Sequence, residues 1–425
     1  MPESLLQELQ ERIRSTGPMP FVDYMQLALY HPRHGYYTTR VPGHGVDYAT
    51  APTITPWFGR LVRRELHRMW EALGQPDPFI IVEVGGGLAD IAGAAMGEPG
   101  WLAGALRWRF IERCGRVQEL QRKRLGTAAE LAQWAPALDT SPPVVGCVLA
   151  NEVLDNFPFH RLQLDRHGEV REVYVDLEGE CLVERLGPLS AGELVDTARQ
   201  VAPRLQEGDR FEVCLELEGW CRQASQALER GYLLIVDYGD VEPDIWLQGR
   251  AGSLKTYGPG GMGQDPLREP GRQDITADVN LSALARAVEA AGFQPQPLTT
   301  QRAWLLSLGL GRVAPRRIRG RPGGVAGAGR GDPGRIEPGP QARRRGRAGG
   351  PVGVPGGEGG PAASGWGRQR RIAQLEVGDR ALYARALSDG GPLRRAGGLR
   401  PRSGGATPPI EAVSTPRSAS PAGRR

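Results

Sequence analysis

An apolar run that ends at three consecutive glycines is the feature that most constrains the fold of this chain. Residues 79–91 read FIIVEVGGGLADI, a pattern that predicts a strand before Gly85 and a helix after Gly87. Because glycine has no Cβ, the backbone N–H groups of such a turn can approach a ligand closely. The segment therefore predicts an α/β protein with a ligand site at the end of this strand, although a purely structural turn would look the same.

Carboxylates near this turn indicate which ligand it suits. A dinucleotide fingerprint requires a third glycine three residues beyond Gly87, and Asp90 stands there. Glu83 precedes the turn, and Glu112 ends a second apolar run, residues 107–112. These groups suit S-adenosylmethionine, which has a free amino group and a ribose diol but no pyrophosphate. Glu112 either binds the ribose diol or is a solvated residue at a strand end. Glu83 either faces the cofactor or accepts hydrogen bonds from the amides of the turn.

The composition divides the chain into two parts. Residues 310–425 contain 23 Arg, no Lys and seven acidic residues, whereas residues 1–309 contain 30 basic and 41 acidic residues. The net charge of +5 therefore arises in the C-terminal part. We predict an N-terminal helical and loop region (1–75), a core (76–309) with an inserted subdomain (159–230), and a Gly/Pro/Arg-rich disordered tail (310–425).

Three interpretations of this tail compete. It is a disordered extension, an arm that binds nucleic acid, or the product of translation in the wrong frame of a GC-rich gene. The second is disfavoured because Trp366 and Tyr383 are its only aromatic residues, whereas arms that bind single strands interleave aromatic and basic residues. The third is favoured by the abrupt change in composition, so we expect no nucleic-acid partner.

Cysteines and the N-terminus indicate location. Five cysteines form no CxxC pair, which favours reduced thiols and no metal site. The first 15 residues predict an amphipathic helix with acidic residues rather than a signal or transit peptide. No apolar run is long enough to cross a membrane. We therefore expect a cytoplasmic protein without a membrane anchor.

Polar residues also follow the later apolar runs. Asn151, Glu152 and Asp155 follow the run at 142–150, and Asp237 ends the run at 231–236. In a parallel sheet these positions meet at one edge, where ligands bind. S-adenosylmethionine donates a methyl group to an acceptor. If that acceptor is cationic, Glu152 and Asp155 could bind its guanidinium, or they could instead cap the next helix. Asp237 could orient the substrate or cap its own loop.

Several segments together resemble one family, the MidA-like methyltransferases, which include a mitochondrial complex I assembly factor. Its more specific motifs are the Gly-x-Asp-aromatic-x-Thr-x-Pro loop and the Asn-Glu-x-x-Asp turn after a strand. The matching segments occur in family order and are YMQLALYHPRHGYY (24–37), GVDYATAPTITPWFG (45–59), VEVGGGLAD (82–90), FIER (110–113), ANEVLDNFPFHRL (150–162), LLIVDYG (233–239), and GSLKTY with DPLREPGRQDITADVN (252–280).

The resemblance implies a Rossmann-like class I methyltransferase sheet of seven strands with an inserted subdomain. It implies methylation of arginine on a protein, with a respiratory complex I-type subunit as the possible target. A non-catalytic assembly protein on the same fold is the alternative, and methylation of a small molecule is a third. The implied acceptor-side residues are Asn151, Glu152 and Asp155, and the implied cofactor contacts are Gly45, Asp47, Tyr48, Thr50, Glu83, Gly85, Gly87 and Glu112.

The last strand of this sheet is the main departure from the family pattern. Relatives follow the LLSLGLG segment (305–311) with a helix and an antiparallel strand that inserts between two others. No residue after 310 clearly supplies that strand. RRIAQLEV (370–377) and RALYARAL (380–387) are the two segments that could substitute for it.

Overall fold

The computed structural model describes residues 4–40, 51–98, 100, 102–313 and 379–386, the backbone alone for 312, 313 and 379–386. The N-terminal helices are α1 (Leu5–Thr16), α2 (Phe21–Tyr30), α3 (Tyr36–Thr39), α4 (Ala51–Ile54) and α5 (Trp57–Ala72), and the short strand β1 (Met19–Pro20) precedes α2.

Strands and helices then alternate along the chain. The next elements are β2 (Phe79–Val84), α6 (Asp90–Met96), α7 (Leu102–Ala105), β3 (Leu106–Ile111), α8 (Gly115–Leu125), β4 (Ala132–Ala135) and β5 (Val144–Asn151). They are followed by β6 (His160–Leu164), β7 (Val170–Glu178), β8 (Cys181–Gly187), α9 (Leu194–Val201), β9 (Arg210–Val213), α10 (Leu217–Gln226) and β10 (Leu228–Asp240).

Short strands predominate in the last part. These elements are β11 (Lys255–Gly258), β12 (Gly261–Gly263), β13 (Asp274–Thr276), β14 (Val279–Asn280), α11 (Leu281–Ala290), β15 (Phe293–Pro295), β16 (Thr299–Thr300), α12 (Gln301–Ser307), α13 (Leu310–Val313) and β17 (Asp379–Ala386). Single 3₁₀ turns link several elements, and the one at Leu154–Asn156 follows β5 directly.

The central sheet has the strand order β15-β17-β10-β5-β2-β3-β4. Strands β10, β5, β2, β3 and β4 pair in parallel, so their carboxyl ends share one edge. Strand β17 pairs antiparallel with both β10 and β15. The predicted α/β fold with a largely parallel sheet is confirmed.

Both faces of this sheet are covered by helices. On one face, Phe79 and Ile81 of β2 pack with Leu61 and Leu66 of α5. On the other face, Val82 joins a cluster that includes α10 and α11. The continuous apolar run of β2 follows from this arrangement, since alternate side chains enter two different cores.

A second sheet lies beside the turn after β5. It has the order β1-β7-β6-β9, with β8 paired to β7. Phe21 and Tyr24 of α2 pack with Val173 of β7 and with Phe159, which directly precedes β6. The Tyr30 hydroxyl donates to the backbone oxygen of Asn156 at 3.0 Å. The N-terminal helices therefore support the turn that carries the predicted acceptor residues.

Strand β17 comes from the segment predicted as a tail. Its residues 380–386 belong to RALYARAL, one of the two segments that the sequence offered as a substitute for the last strand. Leu382 pairs with Ile235 of β10, and Ala384 pairs with Leu233 of β10 and with Pro295 of β15. The strand thus hydrogen-bonds on both sides, which leaves β10 with two partners rather than an open edge.

Interruption of β17 should destabilise the whole sheet. We expect Ala384→Pro to lower the free energy of unfolding by about 3 kcal/mol or more, because proline cannot donate to the ladder and clashes inside a strand. Urea unfolding monitored by circular dichroism measures the change. Truncation after Val313 should be at least as damaging, whereas truncation after Leu387 keeps every described strand and should have little effect. Equal stability of the two truncated chains would contradict this role of β17.

Candidate functional site

The glycine turn after β2 is closely packed and its backbone requires glycine. Gly85 and Gly87 have φ of +63° and +48°. A Cβ on Gly85 would lie 2.9 Å from Cγ2 of Val153, whereas a Cβ on Gly87 would meet nothing within 4 Å. Gly85 therefore allows contact with the turn after β5, and open space above Gly87 leaves room for a ligand.

Glu83, at the penultimate position of β2, is buried with 2% exposure. Its Oε2 accepts a hydrogen bond of 2.7 Å from Nε1 of Trp108 on β3. The pKa of Glu83 is raised to about 8. Burial is the main cause, the Trp108 hydrogen bond opposes it, and the nearby Asp90 charge adds to it. The carboxylate is thus anchored within the sheet beneath the glycine turn.

Glu112 lies directly after β3, as the sequence suggested. Its Oε1 accepts a hydrogen bond of 2.7 Å from the Cys114 backbone N–H. Burial raises the pKa of Glu112, and hydrogen bonds from the backbone of Cys114 and Arg113 oppose this effect. The side chain is half-buried and lies at the edge where β2 and β3 end.

Gln121 of α8 is a residue of this region that the sequence did not single out. Its Nε2 donates to the Gly87 carbonyl at 2.9 Å, and its Oε1 accepts from Nε1 of Trp134 at 2.8 Å. The side chain is fully buried. A polar residue on the apolar side of a charged helix was the available signal. Gln121 fixes the last glycine of the turn.

Four predicted cofactor contacts cannot be placed. Gly45, Asp47, Tyr48 and Thr50 lie outside the described residues. The other four, Glu83, Gly85, Gly87 and Glu112, come together at the ends of β2 and β3.

Asp237 of β10 holds the turn that follows β5. Its Oδ2 accepts from the backbone N–H of Val153 at 3.1 Å and of Leu154 at 2.8 Å. The pKa of Asp237 is raised to about 7, because the effect of burial outweighs the opposing effect of these backbone hydrogen bonds. The sequence left two roles for Asp237, which were to orient the substrate or to cap its own loop. The contacts are those of a cap, but the capped backbone belongs to the turn after β5 rather than to the loop of Asp237 itself.

Asn151 and Glu152 end β5 beside this turn. Glu152 has a left-handed backbone with φ of +52°, which is costly for a residue with a side chain. Its Oε2 accepts from the Tyr238 hydroxyl at 3.4 Å, and its Oε1 accepts from Nδ2 of Asn151 at 3.4 Å. Oδ1 of Asn151 is buried and has no hydrogen-bond partner. An acceptor oxygen thus remains available next to a carboxylate.

Asp155 is surrounded by other acids. Its side chain is buried, and its Oδ1 has no hydrogen-bond partner. Burial raises its pKa well above the ordinary value, and the charges of Asp237, Asp274, Glu152 and Asp278 raise it further. This environment is unfavourable for an anion and favourable for a cation that enters it.

Two acids and a tyrosine of this cluster were missed from the sequence. Oδ1 of Asp274 accepts from the Tyr37 hydroxyl and from Nδ2 of Asn156, each at 2.9 Å. Burial, followed by the charges of Asp155, Asp274, Asp278 and Glu152, raises the pKa of Tyr257 to about 12. The only signal was that all three residues lie in the 252–280 segment that matched the family.

The cluster combines carboxylates with tyrosines and suits a cationic group. In the part of the chain that the structure describes, no group of three or more His, Cys, Asp and Glu residues could hold a metal ion. Among the described helices, none combines the length and apolar character needed to cross a bilayer.

Comparison with known proteins gives consistent results. The profile of a family of S-adenosyl-L-methionine-dependent methyltransferases matches residues 61–299. The chain is 30% identical over 325 residues to the Drosophila melanogaster "Protein arginine methyltransferase NDUFAF7 homolog, mitochondrial", covering 68% of this chain and 71% of that protein. It is 27% identical over 335 residues to the Homo sapiens "Protein arginine methyltransferase NDUFAF7, mitochondrial", covering 72% and 73%.

Solved structures extend this similarity to the fold. A Burkholderia thailandensis protein, crystallised with S-adenosyl-homocysteine, superposes with a TM-score of 0.66 at 27% identity. The match covers 72% of this chain and 81% of that protein. A second structure of a protein from the same organism has a TM-score of 0.64 at 26% identity.

The prediction of a cytoplasmic location is wrong. The similar proteins from fly, cattle and human are all named as mitochondrial. The sequence argument relied on the first 15 residues and on reduced cysteines, and neither feature distinguishes these two compartments.

Replacement of Glu83 should change how stability depends on pH. The unfolded state ionises this glutamate near pH 4.3, whereas the folded state holds the proton up to about pH 8. Its contribution to stability is therefore present at low pH and is lost as the pH rises to 8, by at most on the order of 5 kcal/mol. Glu83→Gln keeps an acceptor for Trp108 but cannot ionise.

We therefore expect the stability of the wild type relative to Glu83→Gln to fall between pH 5 and pH 8.5. Urea unfolding at several pH values in this range measures that difference. Glu218→Gln, at an exposed position of α10, is the control and should give a nearly constant difference. Parallel curves for the wild type and Glu83→Gln would contradict the raised pKa.

Proposed function

This chain belongs to the family of S-adenosyl-L-methionine-dependent methyltransferases, and we propose that it methylates arginine side chains of a protein substrate. The observation that carries the proposal is the cluster of buried and partly buried carboxylates beside the glycine turn, centred on Glu152 and Asp155. A guanidinium is the cationic group that such a cluster would bind by charge-assisted hydrogen bonds. Relatives named protein arginine methyltransferases support the same substrate class.

The family resemblance, the fold and the cofactor inferred from the sequence are confirmed. The residues that contact the cofactor remain a proposal. We assign Gly85, Gly87 and Glu112 to it among the described residues, since they lie together at the ends of β2 and β3 and the space above Gly87 is open. Glu83 contributes by holding Trp108 beneath the turn. The 45–50 loop is proposed to complete the site on the strength of its motif.

The cofactor, which Gly85, Gly87 and Glu112 would hold, would supply a methyl group on a sulfonium for transfer to the acceptor nitrogen, with the sulfur as the leaving group. The protein has to position the guanidinium and accept a proton. We assign Oδ1 of Asn151 to accept a hydrogen bond from the target guanidinium, because this oxygen is buried without a partner. Glu152 is assigned to orient the guanidinium and to take up the proton that the methylated nitrogen releases.

The left-handed backbone of Glu152 supports this role. A non-glycine residue at φ of +52° is tolerated only where the surroundings enforce it, and such residues concentrate at functional sites. The Glu152 N–H donates to the Val236 carbonyl at 2.8 Å, and Asp237 fixes the next two amides. The backbone that carries the Glu152 carboxylate is therefore fixed where the acceptor would bind.

The target protein is a finer proposal. We propose a subunit of a respiratory complex I-type assembly, which rests on the family resemblance and on the mitochondrial names of the relatives. Mass spectrometry for methylarginine on complex I subunits, in cells with and without this protein, tests it. Identical methylation in both would refute the target without affecting the proposed class of reaction.

The domain division is likewise a proposal. We propose that residues 1–75 complete the cofactor site, that 76–309 form the catalytic core, and that 310–425 are an appended segment. The packing of α2 on the second sheet supports a joint role for the first two parts. Strand β17 ties part of the appended segment to the core.

Glu152→Gln should abolish most methyl transfer while it preserves cofactor binding. Loss of a general base typically lowers the rate by about 10² to 10⁴-fold. We expect a loss of this size, measured as labelled methyl transferred to mitochondrial protein extract and recovered as methylarginine. Calorimetry should show binding of S-adenosyl-homocysteine within about threefold of wild type, because Glu152 faces the acceptor.

Glu218→Gln is the matched control and should retain wild-type rates. If Glu152→Gln remained fully active, the assignment of Glu152 would be wrong. If the wild type bound no S-adenosyl-homocysteine although correctly folded, the alternative of a non-catalytic assembly protein would be favoured.

A further inference from the structure

A cavity of about 90 Å³ lies beside the turn after β5, between the second sheet and helix α11. This volume is several times the roughly 10–15 Å³ that a single water molecule needs. Its wall includes Asp155 on the turn, Glu212 on β9, Glu242 after β10 and Asp278 before β14. None of the described residues assigned to the cofactor or to the methylated guanidinium, other than Asp155, lines it.

Two of the four carboxylates have an oxygen that lacks a hydrogen-bond partner. These are Oδ1 of Asp155 and Oε1 of Glu212, and both atoms are buried. Asp155 is 8% exposed and the Glu212 side chain is 5% exposed. A buried acceptor without a donor is destabilising, more so when it carries charge. A donor that enters the cavity would remove this cost.

The nearby cations leave the cavity with an excess of negative charge. Arg286 pairs with Glu242 at 2.7 Å, and Lys255 pairs with Asp278 at 3.0 Å. The Nε of Arg161 lies 3.6 Å from Oε1 of Glu212, beyond hydrogen-bond distance. Asp155 faces acids instead, as the cause of its raised pKa indicates.

The rest of the wall combines apolar and aromatic side chains with polar ones, which are Thr197, Gln200, Asn280 and Arg286. Leu217 and Val279 contribute aliphatic surface, and Phe157, Phe159 and Trp246 contribute rings. A long basic side chain matches this combination, because its methylene stem packs on apolar surface while its charged end reaches acceptors. Aromatic rings also attract cations directly. An acidic ligand would leave Oδ1 of Asp155 and Oε1 of Glu212 without a hydrogen-bond donor.

We propose that this cavity binds a second basic side chain of the protein substrate, an arginine or lysine other than the one that is methylated. Asp155 and Glu212 accept hydrogen bonds from its cationic group, and the aromatic walls hold its stem. The inference rests on the proposed function and adds a specificity determinant: the enzyme recognises two basic residues rather than one. The target site is then a basic segment of the partner protein.

Binding of a minimal probe tests the cavity directly. The full chain, saturated with S-adenosyl-homocysteine, is titrated with arginine amide and with its neutral isostere citrulline amide. We expect arginine amide to bind and citrulline amide to bind at least tenfold more weakly. Glu212→Gln should lower the affinity for arginine amide at least fivefold. Glu184→Gln is the matched control, since Glu184 also pairs with Arg161 but does not line the cavity.

Asp155→Asn gives a readout that a purely structural role would not produce. It removes one charge from a cluster of buried acids, so the unbound protein should become more stable, with a raised unfolding temperature. The same substitution should lower the affinity for arginine amide at least fivefold. A structural aspartate would instead lower the unfolding temperature when replaced.

Peptide arrays connect the cavity with catalysis. Wild type and Glu212→Gln are each assayed for methylation of arginine-containing peptides. In these peptides one flanking residue is Lys, Arg, Gln or Glu. We expect wild type to prefer a basic flanking residue by at least tenfold and Glu212→Gln to lose most of that preference. Wild type that methylates all four sets equally would overturn the proposal while leaving arginine methylation intact.

The proposed function and the cavity fail separately. If no peptide is methylated but arginine amide binds and responds to Glu212→Gln, the cavity is supported and the catalytic assignment fails. If Glu212→Gln leaves the affinity for arginine amide unchanged, the cation binds at the acceptor cluster or not at all, whatever the effect of Asp155→Asn, and the inference is wrong.

Discussion

The Asp237 carboxylate is the interaction on which the candidate site depends. It ends the apolar run of β10 and accepts hydrogen bonds from the backbone of Val153 and Leu154, in the turn after β5. The position of Val153 is in turn fixed against Gly85, where a Cβ would be 2.9 Å from its side chain. One buried carboxylate thus links three neighbouring strand ends. The glycine turn after β2 and the turn after β5 are consequently parts of one rigid arrangement.

Charge is concentrated at the point where this arrangement opens. Asp155, Glu152, Asp274 and Asp278 lie near one another, and the pKa of Asp155 is raised by burial and by the others. Folding alone would favour neutral residues there, because buried like charges repel. The proposed cationic substrate accounts for their presence, because its binding would convert this repulsion into attraction. Stability of the unbound protein and affinity for a basic substrate are therefore opposed in this cluster.

The sequence predicted the fold, and it predicted that polar residues at several strand ends lie at one edge of the sheet. Glu83, Glu112 and Asn151 each end an apolar run, and parallel pairing necessarily brings such positions to one edge. Asp274 and Asp278 have no such local signature, since they lie in a loop-rich segment whose path depends on contacts with Tyr37 and Asn156. Gln121 likewise acquires its role only when α8 packs against the glycine turn.

By itself, the sequence determined the alternation of strands and helices, the glycine turn and the family, because these follow from local periodicity, backbone freedom and conserved order of motifs along one chain. Only the tertiary structure decided that residues 379–386 supply the inserted strand and that Asp155 and Glu212 share a cavity. Strand pairing between residues more than 140 positions apart, such as Ile235 and Leu382, leaves no periodic trace near either segment. A cavity likewise exists only where separate elements pack together imperfectly, so no single segment encodes it.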